Sequence, residues 1–265
     1  MIQAQNIQLR LGQSLVLDQI SVSLKPSELV VLLGANGAGK SSLLHILAGS
    51  SEHAHQVEAL SYDGEVGLTI QQLAQRRAVL AQQSVVPFAL SVAQVVEMGL
   101  YPFEQLLPTQ SAQLIQEAMT LAGIPSLQQR QLISLSGGEQ QRVHFARVLV
   151  QVLAQRELWP ERASYLFLDE PLNALDPKYQ HELMRAVREL TRAHPIGVLM
   201  VLHDVNIAAY YADRLVLLDA GQILVDAVPR EALSEENLSR LFGLGAYIME
   251  HPLNKEKTMV VWRDA

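Results

Sequence analysis

Polar and apolar positions alternate between two periodicities along this chain. Near the N-terminus Ile2, Ala4, Ile7 and Leu9, and then Ile20, Val22 and Leu24, are separated by polar residues, which predicts strands with one covered face. Residues 29–33 are apolar without interruption, the pattern of a strand covered on both faces. Residues 40–49 read as a helix stopped by Gly49, and 57–82 as short strand pieces in a polar stretch. The spacing is helical over 91–98, 111–122 and 138–153. A strand at 165–168, a helix at 177–193, a strand at 197–202, a helix at 205–212 and a strand at 215–218 follow. Asp219-Ala220-Gly221-Gln222 predicts a hairpin turn. Strands alternating with helices predict an α/β protein with a parallel sheet between helices, and the helical block within it predicts an inserted subdomain.

Composition narrows the function. With 265 residues the chain can bury a sizeable core. Lys plus Arg number 20 against 27 Asp plus Glu, a formal charge of −7, and no Lys/Arg run offsets it, which argues against a partner bound by general phosphate attraction. The absence of cysteine excludes disulfide scaffolds, thiolate metal sites and cysteine nucleophiles. No apolar run approaches the roughly 18 residues of a membrane span, and the N-terminus lacks the pattern of a signal peptide. Any membrane role is therefore expected to come through a partner.

Three motifs carry chemistry. Gly34-Ala35-Asn36-Gly37-Ala38-Gly39-Lys40-Ser41 fits a phosphate-binding loop, and it lies between an apolar strand and a helix, the context such a loop requires. Its glycines let backbone N–H groups converge on phosphate oxygens, and the helix N-terminus adds positive potential. Lys40 is placed to reach the β- and γ-phosphates, and the Ser41 hydroxyl to ligate Mg²⁺. Tyr165-Leu166-Phe167-Leu168-Asp169-Glu170 is an apolar strand ending in two carboxylates, Asp169 suited to holding Mg²⁺ and Glu170 to accepting a proton from an attacking water. Leu135-Ser136-Gly137-Gly138-Glu139-Gln140-Gln141-Arg142 opens a helix, with Ser136 as cap and the glycines as a second anion-binding terminus.

On these residues the chain resembles the ATP-binding-cassette ATPases, the motor subunits of ABC transporters. The resemblance covers nearly the whole length, and Ser136-Gly137-Gly138-Glu139-Gln140 is its most specific element. It implies a P-loop NTPase (RecA-like) fold: a parallel sheet core with an N-terminal antiparallel β part and an inserted helical subdomain. The implied division is a nucleotide-binding core of 1–82 plus 159–240, a helical subdomain at 83–158 and a C-terminal extension at 241–265. The implied ATP contacts are Gly34, Asn36, Gly37, Ala38, Gly39, Lys40, Ser41 and Ser42, with Ser136, Gly138 and Asp176 reaching the nucleotide of a second subunit. The resemblance also implies that Gln82, or its neighbour Gln83, joins Ser41 and Asp169 at Mg²⁺. Asn173-Ala174-Leu175-Asp176 matches the D-loop, with Asn173 where serine is usual, and His203 matches the switch histidine on the γ-phosphate. One departure is Leu11 before Gly12, where the family places an aromatic residue against adenine.

The resemblance further implies a homodimer in which each chain closes the other's ATP site. Two transmembrane permease subunits would hold the dimer at the cytoplasmic face of a bacterial inner membrane. Within the family the chain is most similar to the importers of heme, iron-siderophores and vitamin B12 on the segment 87–99, and to their hemin branch on 155–163 and on 229–243 followed by His251-Pro252. A periplasmic hemin-binding protein is then expected in the complex. Val85-Val86-Pro87-Phe88 falls where the permease groove is expected, although an ordinary core segment would look the same. The pair His53/His55 suits either a ligand site or a solvated loop. A soluble cassette acting on nucleic acid, or a small-molecule P-loop kinase, is disfavoured by the charge in the first case and by Ser136 and His203 in the second.

Overall fold

The computed structural model describes residues 1–49, 59–82 and 88–263. Its contacts divide into two units, 1–67 with 199–265 and 68–198.

In the first unit, β1 (Ile2–Leu11) and β2 (Ser14–Leu24) form a hairpin. The short β4 (Ala59–Tyr62) and β5 (Glu65–Val66) complete an antiparallel sheet in the order β2-β1-β4-β5. The alternation Ile2, Ala4, Ile7, Leu9 is the buried face of β1, so period-two patterning decides which side is covered. The uninterrupted run becomes β3 (Leu29–Gly34), buried at every position, and it leads into α1 (Lys40–Leu47). Beside β3 runs β9 (Arg214–Asp219) in parallel, and β10 (Gln222–Ala227) folds back on β9. The turn between them places Ala220 at φ 45° and Gly221 at φ 81°, as a two-residue hairpin demands. Short helices α8 (Pro229–Ala232) and α9 (Glu235–Phe242) follow.

At its C-terminal end the chain forms a hairpin, β11 (Ala246–His251) with β12 (Asn254–Trp262), where the sequence pattern gives no element. It is pinned by Asn206 on α7 (Val205–Tyr211), whose side chain donates to the Val260 carbonyl and accepts from the Val260 N–H.

In the second unit, α2 (Ile70–Ala74) precedes β6 (Arg77–Leu80), which pairs in parallel with β7 (Ser164–Asp169). Helices α3 (Val92–Glu97), α4 (Pro108–Leu121), α5 (Gly137–Leu158) and α6 (Pro177–Ala193) supply the helical part. The fourth of these matches the sequence expectation residue for residue. The second starts three residues earlier than the pattern predicts, because Pro108 fits the first helical position and the Gln110 side chain accepts from the Leu107 N–H. The buried face of α5, including Val143, Phe145, Ala146, Leu149, Val150 and Leu153, forms the centre of this unit's core. Gln151 ties that helix to β6 by donating to the carbonyls of Ala74 and Arg77. The chain passes from one unit to the other within β8 (Ile196–Val201), between Val198 and Leu199.

Candidate functional site

The first group of site residues is built around the end of β3. Ala35 to Gly39 form the loop, and Gly39, at φ 96°, caps α1. A Cβ at Gly39 would lie 2.6 Å from Leu17 Cδ2 and 2.9 Å from the Val16 carbonyl oxygen, so glycine is required by both backbone and space. Lys40 opens the helix. Its side chain is only 6% exposed, and Nζ donates to the carbonyls of Gly34 and Ala35, each at 2.9 Å. The ammonium is thereby held inside the curve of the loop. Asn36 and Gly37 are exposed, Ala38 is buried, and Ser41 and Ser42 are half-buried in the first helical turn. His203 joins this group because the Leu202 N–H donates to the Leu32 carbonyl, which brings the chain after β8 alongside the end of β3. Asp204 then caps α7, its Oδ1 accepting from the N–H groups of Asn206 and Ile207. A helix N-terminus, loop N–H groups and a buried ammonium together make a site for a polyphosphate.

The second group is set by the register of β6 and β7. Leu80 faces Leu168, so two residues further along each chain Gln82 comes opposite Glu170. Its Nε2 donates to Glu170 Oε2 at 2.9 Å. Asn173 Nδ2 donates to the same oxygen at 2.5 Å. Asp169, the last residue of β7, is 1% exposed, and Glu170 follows it in a left-handed backbone conformation, φ 50°. Adjacent acids thus differ in surroundings: Asp169 is held in the core and Glu170 is turned out of the strand. Gln82 Oε1 and the Asp169 carboxylate in the second unit, and the Ser41 hydroxyl in the first, are each hard oxygen donors of the kind Mg²⁺ takes. Among the described residues no group of three or more His, Cys, Asp or Glu side chains forms a separate metal centre.

The third group sits at the start of α5. Ser136 is its cap: Oγ accepts from the Glu139 N–H, and the Glu139 carboxylate accepts from both the Ser136 N–H (2.9 Å) and its hydroxyl (2.8 Å). The backbone hydrogen bond from Ser136, then its hydroxyl, hold the Glu139 carboxyl below its usual range, with Arg130 and Arg142 adding to the effect. Gly138 packs against the D-loop, where its Cβ would lie 2.7 Å from the Ala174 carbonyl oxygen. Asp176 is exposed at the N-terminus of α6, ahead of Pro177.

This contact yields a stability prediction. Gly138→Ala forces the Ala174 carbonyl away, at a cost of about 1–3 kcal/mol, so the melting temperature should fall by several degrees. Gly137→Ala, whose Cβ would meet only the Ala174 Cβ at 4.0 Å, should leave it unchanged or raise it slightly. Calorimetry on both variants checks this, and equal melting temperatures would show that the close approach carries no strain.

Leu11, at the end of β1, is 48% exposed beside Gly12, so an aliphatic side chain stands in the predicted aromatic position. Phe88 is exposed. Gln83, Val85, Val86, Pro87, His53 and His55 lie outside the described residues. Among the described residues no helix is long and apolar enough to cross a membrane. The amide contacts of Gln82 and Asn173 with Glu170 are features that sequence reasoning missed. For Asn173 the signal is the asparagine in a position where serine is usual.

The family described as ABC transporter matches residues 17–173. The hemin import ATP-binding protein HmuV of Bordetella pertussis is 42% identical over 262 residues, 99% of each chain. HmuV of Pseudomonas aeruginosa is 41% identical over 253 residues, 95% of this chain and 96% of that one. Among solved structures, a metal-chelate type ABC transporter in an inward-facing conformation aligns with a TM-score of 0.78 over 99% of this chain and 97% of its own, at 24% identity. The dimeric cassette MJ0796 aligns at 0.72 over 87% and 99%, at 22% identity. The structural likenesses concern the fold.

Proposed function

The chain is an ATPase of the ABC transporter family, and from that premise we propose that it is the motor subunit of a bacterial importer, with hemin as the cargo. The observation that carries the reading is that one chain holds one phosphate loop around Lys40 and one signature cap at Ser136. In the proposed cycle Gly34 to Ser42 bind the ATP phosphates, and Lys40 Nζ exchanges its loop carbonyls for β- and γ-phosphate oxygens. Ser41, Gln82 and Asp169 would hold Mg²⁺, which would neutralise charge on those phosphates. Glu170 accepts the proton of the attacking water, and His203 contacts the γ-phosphate. Ser136, Gly138 and Asp176 act on the nucleotide of a second copy, so two copies related by a two-fold axis make two equivalent sites. ATP binding closes the dimer, and hydrolysis with phosphate release reopens it. Two permease subunits would hold the dimer at the cytoplasmic face of the inner membrane and convert that motion into uptake, with a periplasmic hemin-binding protein delivering the cargo.

The shared site has a direct test. A Lys40→Ala chain and a Ser136→Arg chain should each be inactive as homodimers. Mixed in equal amounts they should regain about a quarter of wild-type ATP hydrolysis, since half the dimers are hybrid and each hybrid keeps one intact site. No recovery, with both chains folded and associating, would remove the two-chain site. The cargo rests on the names of relatives that are import ATP-binding proteins for hemin. Deleting the gene should abolish growth on hemin as the iron source while leaving growth on siderophore-bound iron intact. The opposite result would favour the siderophore branch.

A further inference from the structure

We propose that Asn173 is a positioning residue for the general base, holding the Glu170 carboxylate in one orientation together with Gln82. The proposal rests on the reading of Glu170 as the proton acceptor and adds a residue to it. Two amide donors from different segments meet at one oxygen: Gln82 Nε2 at 2.9 Å and Asn173 Nδ2 at 2.5 Å, both on Oε2. Gln82 comes from the extension of β6 and Asn173 from the loop ahead of α6. The Asn173 N–H also donates to the Glu170 carbonyl, closing the turn that follows β7. Glu170 itself stands at φ 50°, a backbone conformation that persists in a non-glycine residue when its surroundings fix it.

The physical need is plain. A glutamate side chain has three torsions, and the last is broad and nearly two-fold, so nothing intrinsic fixes the plane of the carboxylate. A base must meet its proton within hydrogen-bond distance and in line. Two donors on one oxygen fix both the position of the group and the rotation about its last bond. Such preorganisation acts on the rate of the chemical step and not on nucleotide binding. Serine, usual at this position, carries its hydroxyl one bond from Cβ and lacks the reach of the asparagine amide. The second tether on Glu170 is thus a consequence of Asn173 in this chain.

The test is steady-state ATP hydrolysis by the full chain with Mg²⁺, with melting temperatures measured in parallel. Asn173→Ala should lower kcat about tenfold, as expected for one hydrogen bond to a charged group, with KM for ATP within about twofold of wild type. Asn173→Asp, which keeps the shape but cannot donate, should lose at least as much, and Asn173→Gln should recover part of the rate. The loss should vanish in single-turnover measurements on the Glu170→Gln background, because Asn173 acts through that carboxylate. An unchanged kcat in folded Asn173→Ala, or the same fold-loss on the Glu170→Gln background, overturns the proposal. If Glu170→Gln itself hydrolyses ATP at the wild-type rate, the base assignment fails and the proposal with it. If Glu170→Gln is slow and Asn173→Ala is not, the proposal fails alone.

Discussion

Lys40→Ala should lower the affinity for ATP by about 100-fold or more while leaving the protein folded. The ammonium is the one full positive charge inside the loop, and it is already desolvated and held by the Gly34 and Ala35 carbonyls. It therefore arrives at the phosphates with little ordering left to do. A hydrogen bond to a charged group contributes about 1.5–3 kcal/mol, and two phosphate oxygens are available to it. Each 1.4 kcal/mol is a factor of ten in affinity. What remains in the variant is the loop N–H groups and the helix N-terminus, equivalent to roughly half a charge, which sustains weak binding only. The fold should survive because Leu43, Leu44, Ile46 and Leu47 keep α1 buried when the two hydrogen bonds from Lys40 to the loop carbonyls are lost. Titration with a fluorescent ATP analogue, beside circular dichroism, reads both halves of the expectation. Wild-type affinity in a folded variant would remove the loop from the nucleotide site.

The phosphate loop was legible because its chemistry is local. A buried strand, glycines at fixed offsets and a lysine opening a helix lie within thirteen consecutive residues, 29–41, and the structure keeps that order. The same holds for the cap at Ser136, where residue and partner are three apart. The Gln82 half of the Glu170 tether was not legible because it is set by register: Gln82 is 88 residues away, and only the pairing of Leu80 with Leu168 brings the two together. The Asn173 half is three residues away, but it depends on the left-handed turn at Glu170, φ 50°, which no residue pattern announces. The C-terminal hairpin was missed for a related reason. The first residues of β12, Asn254-Lys255-Glu256-Lys257, are polar and give no alternation, and the strand is fixed by Asn206, 54 residues before Val260. Period-two patterning also fails in β11, where Tyr247 and Met249 form an apolar face that is exposed within this chain. Burial, which normally writes the pattern, does not write it there.

Glu170→Gln should bind ATP, hydrolyse it about 10²- to 10⁴-fold more slowly, and accumulate as a closed, ATP-bound dimer. The substitution is unusually clean at this position. Gln82 and Asn173 both donate to one oxygen of Glu170, and the glutamine side chain keeps a carbonyl oxygen that can accept from both. The tether and the shape of the turn therefore persist, and the proton acceptor is what is lost, which accounts for the size of the rate effect. Asp169 stays in place, so the Mg²⁺ donors are unchanged. One negative charge is removed from the acidic pair assigned to the triphosphate, and weaker like-charge repulsion favours the closed dimer. His203→Ala should also stop turnover, by removing the contact to the γ-phosphate, but without that gain in closure because it removes no negative charge. Size-exclusion chromatography and phosphate release, both with ATP and Mg²⁺, separate the two variants. A stable dimer for Glu170→Gln alone, with phosphate release near background for both, is the expected pattern. Phosphate release near the wild-type rate from Glu170→Gln would assign the proton transfer to another group and leave the doubly tethered carboxylate with a purely structural role.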